Sequence, residues 1–200
     1  MNASTGYPRQ QGLYSPQFEH DACGIGMLVN IRGARSHRIV VEALNVLLNL
    51  AHRGGTGAEP DTGDGAGILT QLPHAFFEKE CRLNGIVLPG PGAYGVGMLF
   101  LSPDPARRAD IEKAFEQIVA REGQLFLGWR DVPVNTSTLG ETSRACMPCI
   151  RQAFIQKSAD LNGEDAFERK LYLIRKTAEK RLRYAQDSQP GDFYAVSLSC

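Results

Sequence analysis

The chain has 200 residues, of which 42% are hydrophobic and 22% are charged, a composition typical of a globular protein with one sizeable core. Its 22 basic and 22 acidic residues leave a formal net charge of zero, which gives no electrostatic basis for binding nucleic acid or an anionic membrane surface. No apolar run approaches the roughly 18–20 residues that a membrane span needs. We therefore expect neither nucleic acid nor a membrane among its partners.

The first 22 residues differ from the rest of the chain. They are polar, rich in Gln, Pro and Ser, and lack the continuous apolar core of a secretory signal. We therefore predict a leader of residues 1–22, followed by one domain over residues 23–200. The five cysteines are odd in number and unevenly spaced, and with no export signal they favour reduced thiols and a cytoplasmic location.

The pattern becomes apolar at Cys23. Residues 23–29 form a short apolar run that predicts a buried strand. Ser36 is a predicted N-cap, and the apolar residues that follow it have helical spacing. A loop with six glycines occupies residues 53–67. A second strand is predicted at 66–72.

The second half of the chain predicts alternating helices and strands. Its clearest helix is capped by Asp104, begins at Pro105 and is ended by Gly123. The remaining predicted elements are helices at 74–84 and about 164–186, strands at 94–101, 124–129, 149–156 and 192–199, and an irregular segment at 130–148. This mixture predicts a layered α/β or α+β architecture.

Cys23 is the first candidate catalytic residue because it lies where the leader meets the domain. Cleavage before it would create a free α-amine, whose pKa of about 7.7–8.0 suits a local base that helps to form a thiolate. By residue type alone, a small buried cysteine with a packing role is the more common case.

Three further motifs carry possible chemistry. Arg53 follows an apolar helix and enters the glycine loop, where it can bind a carboxylate bidentately or neutralise the helix dipole. Residues 61–67 (DTGDGAG) lack the full pattern of a P-loop, a dinucleotide turn or an EF-hand, so a structural turn is favoured. Cys146 and Cys149 form an isolated CxxC, which suggests an alternative function as a thiol redox pair. We expect no metal or cofactor site in this chain.

Several segments together resemble one family. Residues 19–26 (EHDACGIG) are similar to the processing site and catalytic start of class II, N-terminal nucleophile (Ntn), glutamine amidotransferases, most closely those of glutamate synthase large subunits. Further segments resemble the same family in the same order: 52–55 (HRGG), 62–67 (TGDGAG), 128–133 (GWRDVP) and 192–199 (DFYAVSLS). The resemblance implies an α+β fold, a four-layer αββα sandwich of two mostly antiparallel sheets between helices.

The resemblance also implies an activity. Cys23 would attack the side-chain amide of glutamine and release ammonia, with Arg53 in the glutamine site, and water would then release glutamate. In the whole enzyme the ammonia would convert 2-oxoglutarate to glutamate, using FMN, an iron–sulfur cluster and electrons from NAD(P)H or ferredoxin. The implied partners are glutamine, the synthase remainder of the large subunit and a small electron-donating subunit.

Part of the family's active site has no match before Cys200, namely the oxyanion-hole Asn-Gly, the main carboxylate-binding arginine and the amine-binding aspartate. We therefore expect a sandwich that is incomplete at the C-terminus. The 200 residues alone should be nearly inactive, because one lost oxyanion donor costs about 10²–10³ in rate. Two alternatives stay open, a redox protein using Cys146 and Cys149 and a non-catalytic interaction domain.

Overall fold

The computed structural model describes residues 12, 23–55, 62–63, 65–184, 188 and 191–199. The chain divides into two compact units, one of residues 1–70 with 137–144 and the other of residues 71–136 with 145–200. The predicted leader lies outside the described residues except for Gly12. Among the described helices, none is long and apolar enough to cross a membrane.

The first unit is built around helix α1 (His37–Asn49). Ser36 caps it as predicted, since its side chain accepts a hydrogen bond from the Arg38 amide at 3.2 Å. A single 3₁₀ turn, Ala51–Arg53, follows directly. Most of a short helix, α4 (Glu141–Ala145), also belongs to this unit, although the sequence predicted an irregular segment there.

Both strands predicted for the first unit are wrong. Residues 23–29 and 66–72 have no regular secondary structure, and all of them are exposed except Leu72, which is partly buried. The apolar side chains of Ile25 and Leu69, for example, are 91% and 88% exposed. An apolar run identifies a segment that can pair, but a strand needs a neighbouring backbone to accept its hydrogen bonds.

The second unit contains a four-stranded antiparallel sheet. Its strands are β1 (Tyr94–Leu101), β2 (Leu125–Asp131), β3 (Cys149–Gln156) and β4 (Phe193–Ser199), in the order β2-β3-β1-β4. All four lie where the sequence predicts strands, to within two residues. The predicted α+β class is thus confirmed, whereas the described residues contain this one sheet and the second sheet of the predicted sandwich is not seen among them.

One face of the sheet is covered by α3 (Pro105–Arg121) and α5 (Glu164–Ala178). Asp104 caps α3 as predicted, accepting from the Ala106 amide at 2.9 Å. Side chains alternate along a strand, so every second strand residue meets these helices. The largest buried cluster of the described residues lies here: Leu99, Leu101, Ile111, Phe115, Ile118, Val119, Ala153, Ile155, Phe167, Leu171, Ile174, Ala178, Phe193, Ala195 and Leu198.

The opposite face of the sheet holds a smaller cluster around α2 (His74–Leu83). Phe77 packs edge-on against Phe154, with ring centroids 5.4 Å apart. At its border the buried guanidinium of Arg130 donates to Glu80 at 2.7 Å and to Gln152 at 2.9 Å. The sheet is therefore held between helical layers, and its buried charge is paired, as burial requires.

Helix α5 is extended by one π-helical turn, Glu179–Arg183, where the sequence predicted a continuous helix to about residue 186. The carboxylate of Glu179 is buried and accepts from Arg175 at 2.8 Å and from Lys176 at 2.6 Å. Burial alone would raise the pKa of Glu179, but the hydrogen bond from Lys176 and the nearby cations outweigh it and lower the pKa below its ordinary value of 4.5.

This pKa shift predicts a pH-dependent contribution to stability. A lowered folded-state pKa stabilises the fold above pH 4.5, and the contribution is lost as the pH falls through the folded-state value. We expect Glu179→Gln to lower the free energy of unfolding by about 1–2 kcal/mol at pH 7, with a smaller difference below pH 4. Denaturant unfolding at both pH values measures it. Glu78→Gln, which removes an exposed ion pair with Arg82, should have little effect; an equal loss in both variants would contradict the prediction.

Candidate functional site

The end of α1 determines where Arg53 lies. The Leu50 amide donates to the carbonyls of Val46 and Leu47, at 3.0 and 3.1 Å, and closes the helix. The Arg53 amide then donates to the Leu50 carbonyl at 2.8 Å, which forms the 3₁₀ turn. The turn brings the Arg53 guanidinium to Cys23, where its Nε donates to the Cys23 carbonyl oxygen at 3.3 Å. The two site residues predicted from the sequence are therefore neighbours, although 30 residues separate them in the chain.

Two glycines allow the segment after Cys23 to lie against α1. A Cβ atom added to Gly26 would be 2.4 Å from a methyl carbon of Val46, closer than real contacts allow. One added to Gly24 would be 3.0 Å from a methyl carbon of Leu50. The backbone of residues 23–26 thus approaches the helix more closely than any residue with a side chain permits.

The thiol of Cys23 is exposed, and the contact that anchors the residue uses the carbonyl oxygen instead. The guanidinium of Arg53 is also exposed. Because only Nε is used for Cys23, the two terminal nitrogens retain the fork geometry that binds a carboxylate. The arrangement offers an accessible thiol on the residue whose carbonyl oxygen the cation contacts, which suits a nucleophile acting on a substrate that carries a carboxylate.

Gly63, in the glycine loop, lies close to the segment that follows the Arg53 turn. Residues 56–61 and Asp64 lie outside the described residues, but Thr62 and Gly63 are described. A Cβ atom added to Gly63 would be 3.4 Å from the carbonyl oxygen of Gly55, two residues after Arg53. The hydroxyls of Thr62 and Ser143 are 3.0 Å apart. Sequence reasoning missed Ser143, because a serine in a run of turn formers carries no signal of a partner 81 residues away.

The cysteines of the second unit differ in exposure from one another, and Cys81 differs most from the exposed Cys23 of the first unit. Cys146 is exposed and Cys149 is half-buried, and neither forms a disulfide. Cys81 is fully buried under Phe77 and Phe154, and burial raises the pKa of its thiol to about 11. A buried thiol of high pKa is a packing residue, whereas exposure is a condition for reactivity.

The described part of the chain holds no cluster of candidate metal ligands. Within it, no three His, Cys, Asp or Glu side chains come together as they must to hold a metal ion. An iron–sulfur cluster takes four thiolates, and Cys146 and Cys149 would supply only two of them. These residues do not fit the cluster implied for the larger enzyme.

Comparison of the sequence with known proteins identifies the family to which the chain belongs. The family model for class-II glutamine amidotransferases matches residues 23–200. The NADPH glutamate synthase large chain of Bacillus subtilis is 50% identical over 192 residues, which cover 96% of this chain and 12% of that protein. The NADH glutamate synthase of Schizosaccharomyces pombe is 40% identical over 174 residues, 84% of this chain and 8% of that protein.

The name of a third relative includes ferredoxin where the first two names include NADPH and NADH. The ferredoxin-dependent glutamate synthase 2 of Synechocystis is 36% identical over 182 residues, which cover 91% of this chain and 11% of that protein. The chain thus spans about a tenth of the length of the curated relatives that it matches. None of these comparisons supports the redox alternative.

The rate of alkylation should distinguish the exposed cysteines from the buried one. At pH 8 iodoacetamide should modify Cys23 and Cys146 in the native protein and leave Cys81 unmodified until denaturant is added. A pKa of about 11 instead of 9.0 lowers the thiolate fraction about 100-fold, and burial adds a steric barrier. Peptide mass spectrometry measures each site. Labelling of Cys81 at the rate of Cys146 would show that the α2 core is open.

The close approach of Gly26 to α1 gives a second prediction. Gly26→Ala should displace the segment that carries Cys23, because Val46 is β-branched and cannot swing its methyl group away within a helix. We expect a several-fold change in the labelling rate of Cys23, measured as above. Gly26→Ala combined with Val46→Ala should restore it. Gly90→Ala, where an added Cβ atom meets nothing within 4 Å, is the matched control.

Proposed function

Because the chain belongs to the class II glutamine amidotransferase family, we propose that it hydrolyses glutamine to glutamate and ammonia, with Cys23 as the nucleophile. The proposal is supported by the contact between the Arg53 Nε and the Cys23 carbonyl oxygen, two residues that are both exposed. The family match begins at Cys23 itself, which supports removal of residues 1–22 as a leader.

The proposed reaction uses the amine that cleavage would release. The free α-amine of Cys23 accepts the thiol proton, and the thiolate attacks the side-chain carbonyl carbon of glutamine. A C–S bond forms, the C–N bond breaks, and the proton passes from the α-ammonium to the departing ammonia. Water then attacks the thioester, releases glutamate and restores the thiol. No metal or redox cofactor takes part in this step.

Arg53 is proposed to bind the substrate. Its Nε is held by the Cys23 carbonyl, so a carboxylate bound by its terminal nitrogens would lie close to the nucleophile. Glutamine carries such a carboxylate at its α-carbon, at the end opposite the amide under attack. Arg53 would therefore favour a substrate that carries both a carboxylate and the amide under attack.

The ammonia is proposed to serve a synthase reaction in a larger protein. The relatives named above are glutamate synthases, so we propose that this chain supplies ammonia for the conversion of 2-oxoglutarate to glutamate. That step would take place in the cytoplasm with FMN, an iron–sulfur cluster and electrons from NAD(P)H or ferredoxin, held by other parts of the protein or by a small partner subunit. The relatives' names include NADPH, NADH and ferredoxin, so the donor for this protein is not assigned.

The test uses the complete protein. Cys23→Ala should lower glutamine-dependent ammonia release by at least about 10³-fold, because it removes the covalent route. Glutamate synthesis from added ammonium should continue, since that step does not use Cys23. Intact-mass analysis should show a mature N-terminus at Cys23. An active enzyme that retains residues 1–22, or a Cys23→Ala variant that still releases ammonia, would refute the proposal.

A further inference from the structure

The side chain of His52 makes a contact that the proposed reaction does not use. Its Nδ1 lies 3.0 Å from the carbonyl oxygen of Asn49, the last residue of α1. A carbonyl oxygen can only accept a hydrogen bond, so Nδ1 must carry the proton and donate it. The contact therefore identifies the ring nitrogen that acts on the end of the helix.

The Asn49 carbonyl needs this donor because the hydrogen-bond pattern of α1 changes at that point. In a continued α-helix the amide of residue 53 would donate to the carbonyl of residue 49, four residues earlier. The Arg53 amide instead donates to the Leu50 carbonyl at 2.8 Å, in the 3₁₀ turn. The His52 ring thus supplies the Asn49 carbonyl with a donor in place of the amide that the turn takes away.

The turn that His52 braces is intrinsically weak. It is closed by the Arg53 bond and by the bond of the Gly54 amide to the Ala51 carbonyl at 3.1 Å, and 3₁₀ geometry gives poorer hydrogen bonds than an α-helix. The two residues that follow Arg53 are glycines, which lose more conformational freedom on ordering than any other residue. The bond from the ring ties the turn back to the helix and opposes that freedom.

The contact of Arg53 with Cys23 is sensitive to the shape of this turn. Its Nε reaches the Cys23 carbonyl at 3.3 Å, just beyond the roughly 2.7–3.2 Å of most N–H···O bonds. A displacement of the turn by a few tenths of an ångström would therefore break the contact. His52 and Arg53 are adjacent, so a bond that fixes His52 also fixes the point from which the Arg53 side chain extends.

We propose that His52 is a positioning residue of the glutaminase site. Its Nδ1–H holds the 3₁₀ turn against the end of α1 and so keeps the Arg53 guanidinium at Cys23. The proposal rests on the proposed function. It gives His52 no contact with substrate, and it predicts that loss of the Nδ1 donor weakens glutamine binding more than it slows the chemical step, because His52 acts through the residue that binds the carboxylate.

The first experiment removes the donor from the complete protein and measures glutamine-dependent ammonia release. His52→Phe keeps a ring of similar shape and should raise KM for glutamine by about two- to tenfold, the effect of one neutral hydrogen bond, with a smaller change in kcat. Arg53→Ala should raise KM by more. The double variant should be no worse than Arg53→Ala alone, because His52 acts only through Arg53. A further increase in the double variant, or an unaltered KM in His52→Phe, would overturn the inference.

Two amide variants identify which ring nitrogen acts. His52→Asn carries its amide nitrogen on Cγ, as Nδ1 does in histidine, and should bring KM back to within about twofold of the unmodified protein. His52→Gln carries its amide nitrogen one bond further out, near the place of Nε2, and should restore KM less. Restoration by Gln and not by Asn would assign the role to Nε2 and contradict the inference.

The controls separate positioning from general damage. His37→Phe makes the same change at an exposed histidine at the other end of α1 and should leave KM unaltered. Glutamate synthesis from added ammonium should be unchanged in every variant, which shows that each protein is folded. Absence of glutamine-dependent ammonia release from the unmodified protein would instead refute the proposed function itself.

Discussion

The candidate site depends on a backbone that approaches α1 without side chains between them. Glycine at position 26 lets the segment of residues 23–26 lie against Val46, and Gly24 allows a tight approach to Leu50. That approach brings the Cys23 carbonyl within reach of the arginine that follows the same helix. The helix therefore acts on both site residues: its side chains support the segment that carries Cys23, and its C-terminal turn presents Arg53.

The elements that sequence predicted well are those with local causes. Ser36 and Asp104 cap their helices because a short polar side chain can accept from the amide two residues on, wherever the rest of the chain lies. The strands of the second unit were predicted from short runs with strand patterns, and the structure confirms them even though β2 has a single buried residue, Arg130. Cys23 and Arg53 were predicted through the resemblance of their surrounding segments, and the structure shows a contact between the two residues.

Two of the failures, at residues 23–29 and at Thr62, depend on distant partners, whereas the third is a local choice within one helix. Residues 23–29 are apolar enough for a strand, but no described backbone pairs with them. The π-helical turn at Glu179–Arg183 was not predicted, because a helical pattern does not reveal which carbonyl an amide will choose. The bond between Thr62 and Ser143 joins residues 81 positions apart and leaves no trace in either local sequence.

A nucleophilic residue has to be held firmly and yet remain chemically available, and the two demands conflict if the same atoms serve both. The structure separates them, since the anchor of Cys23 is its carbonyl oxygen and the thiol stays exposed. Cys81 shows the opposite solution, in which burial fixes the thiol and makes its anion costly. Anchoring through the backbone also leaves the α-nitrogen of Cys23 outside the contact. Release of that nitrogen as an amine would therefore add a base next to the thiol without disturbing what holds the residue in place.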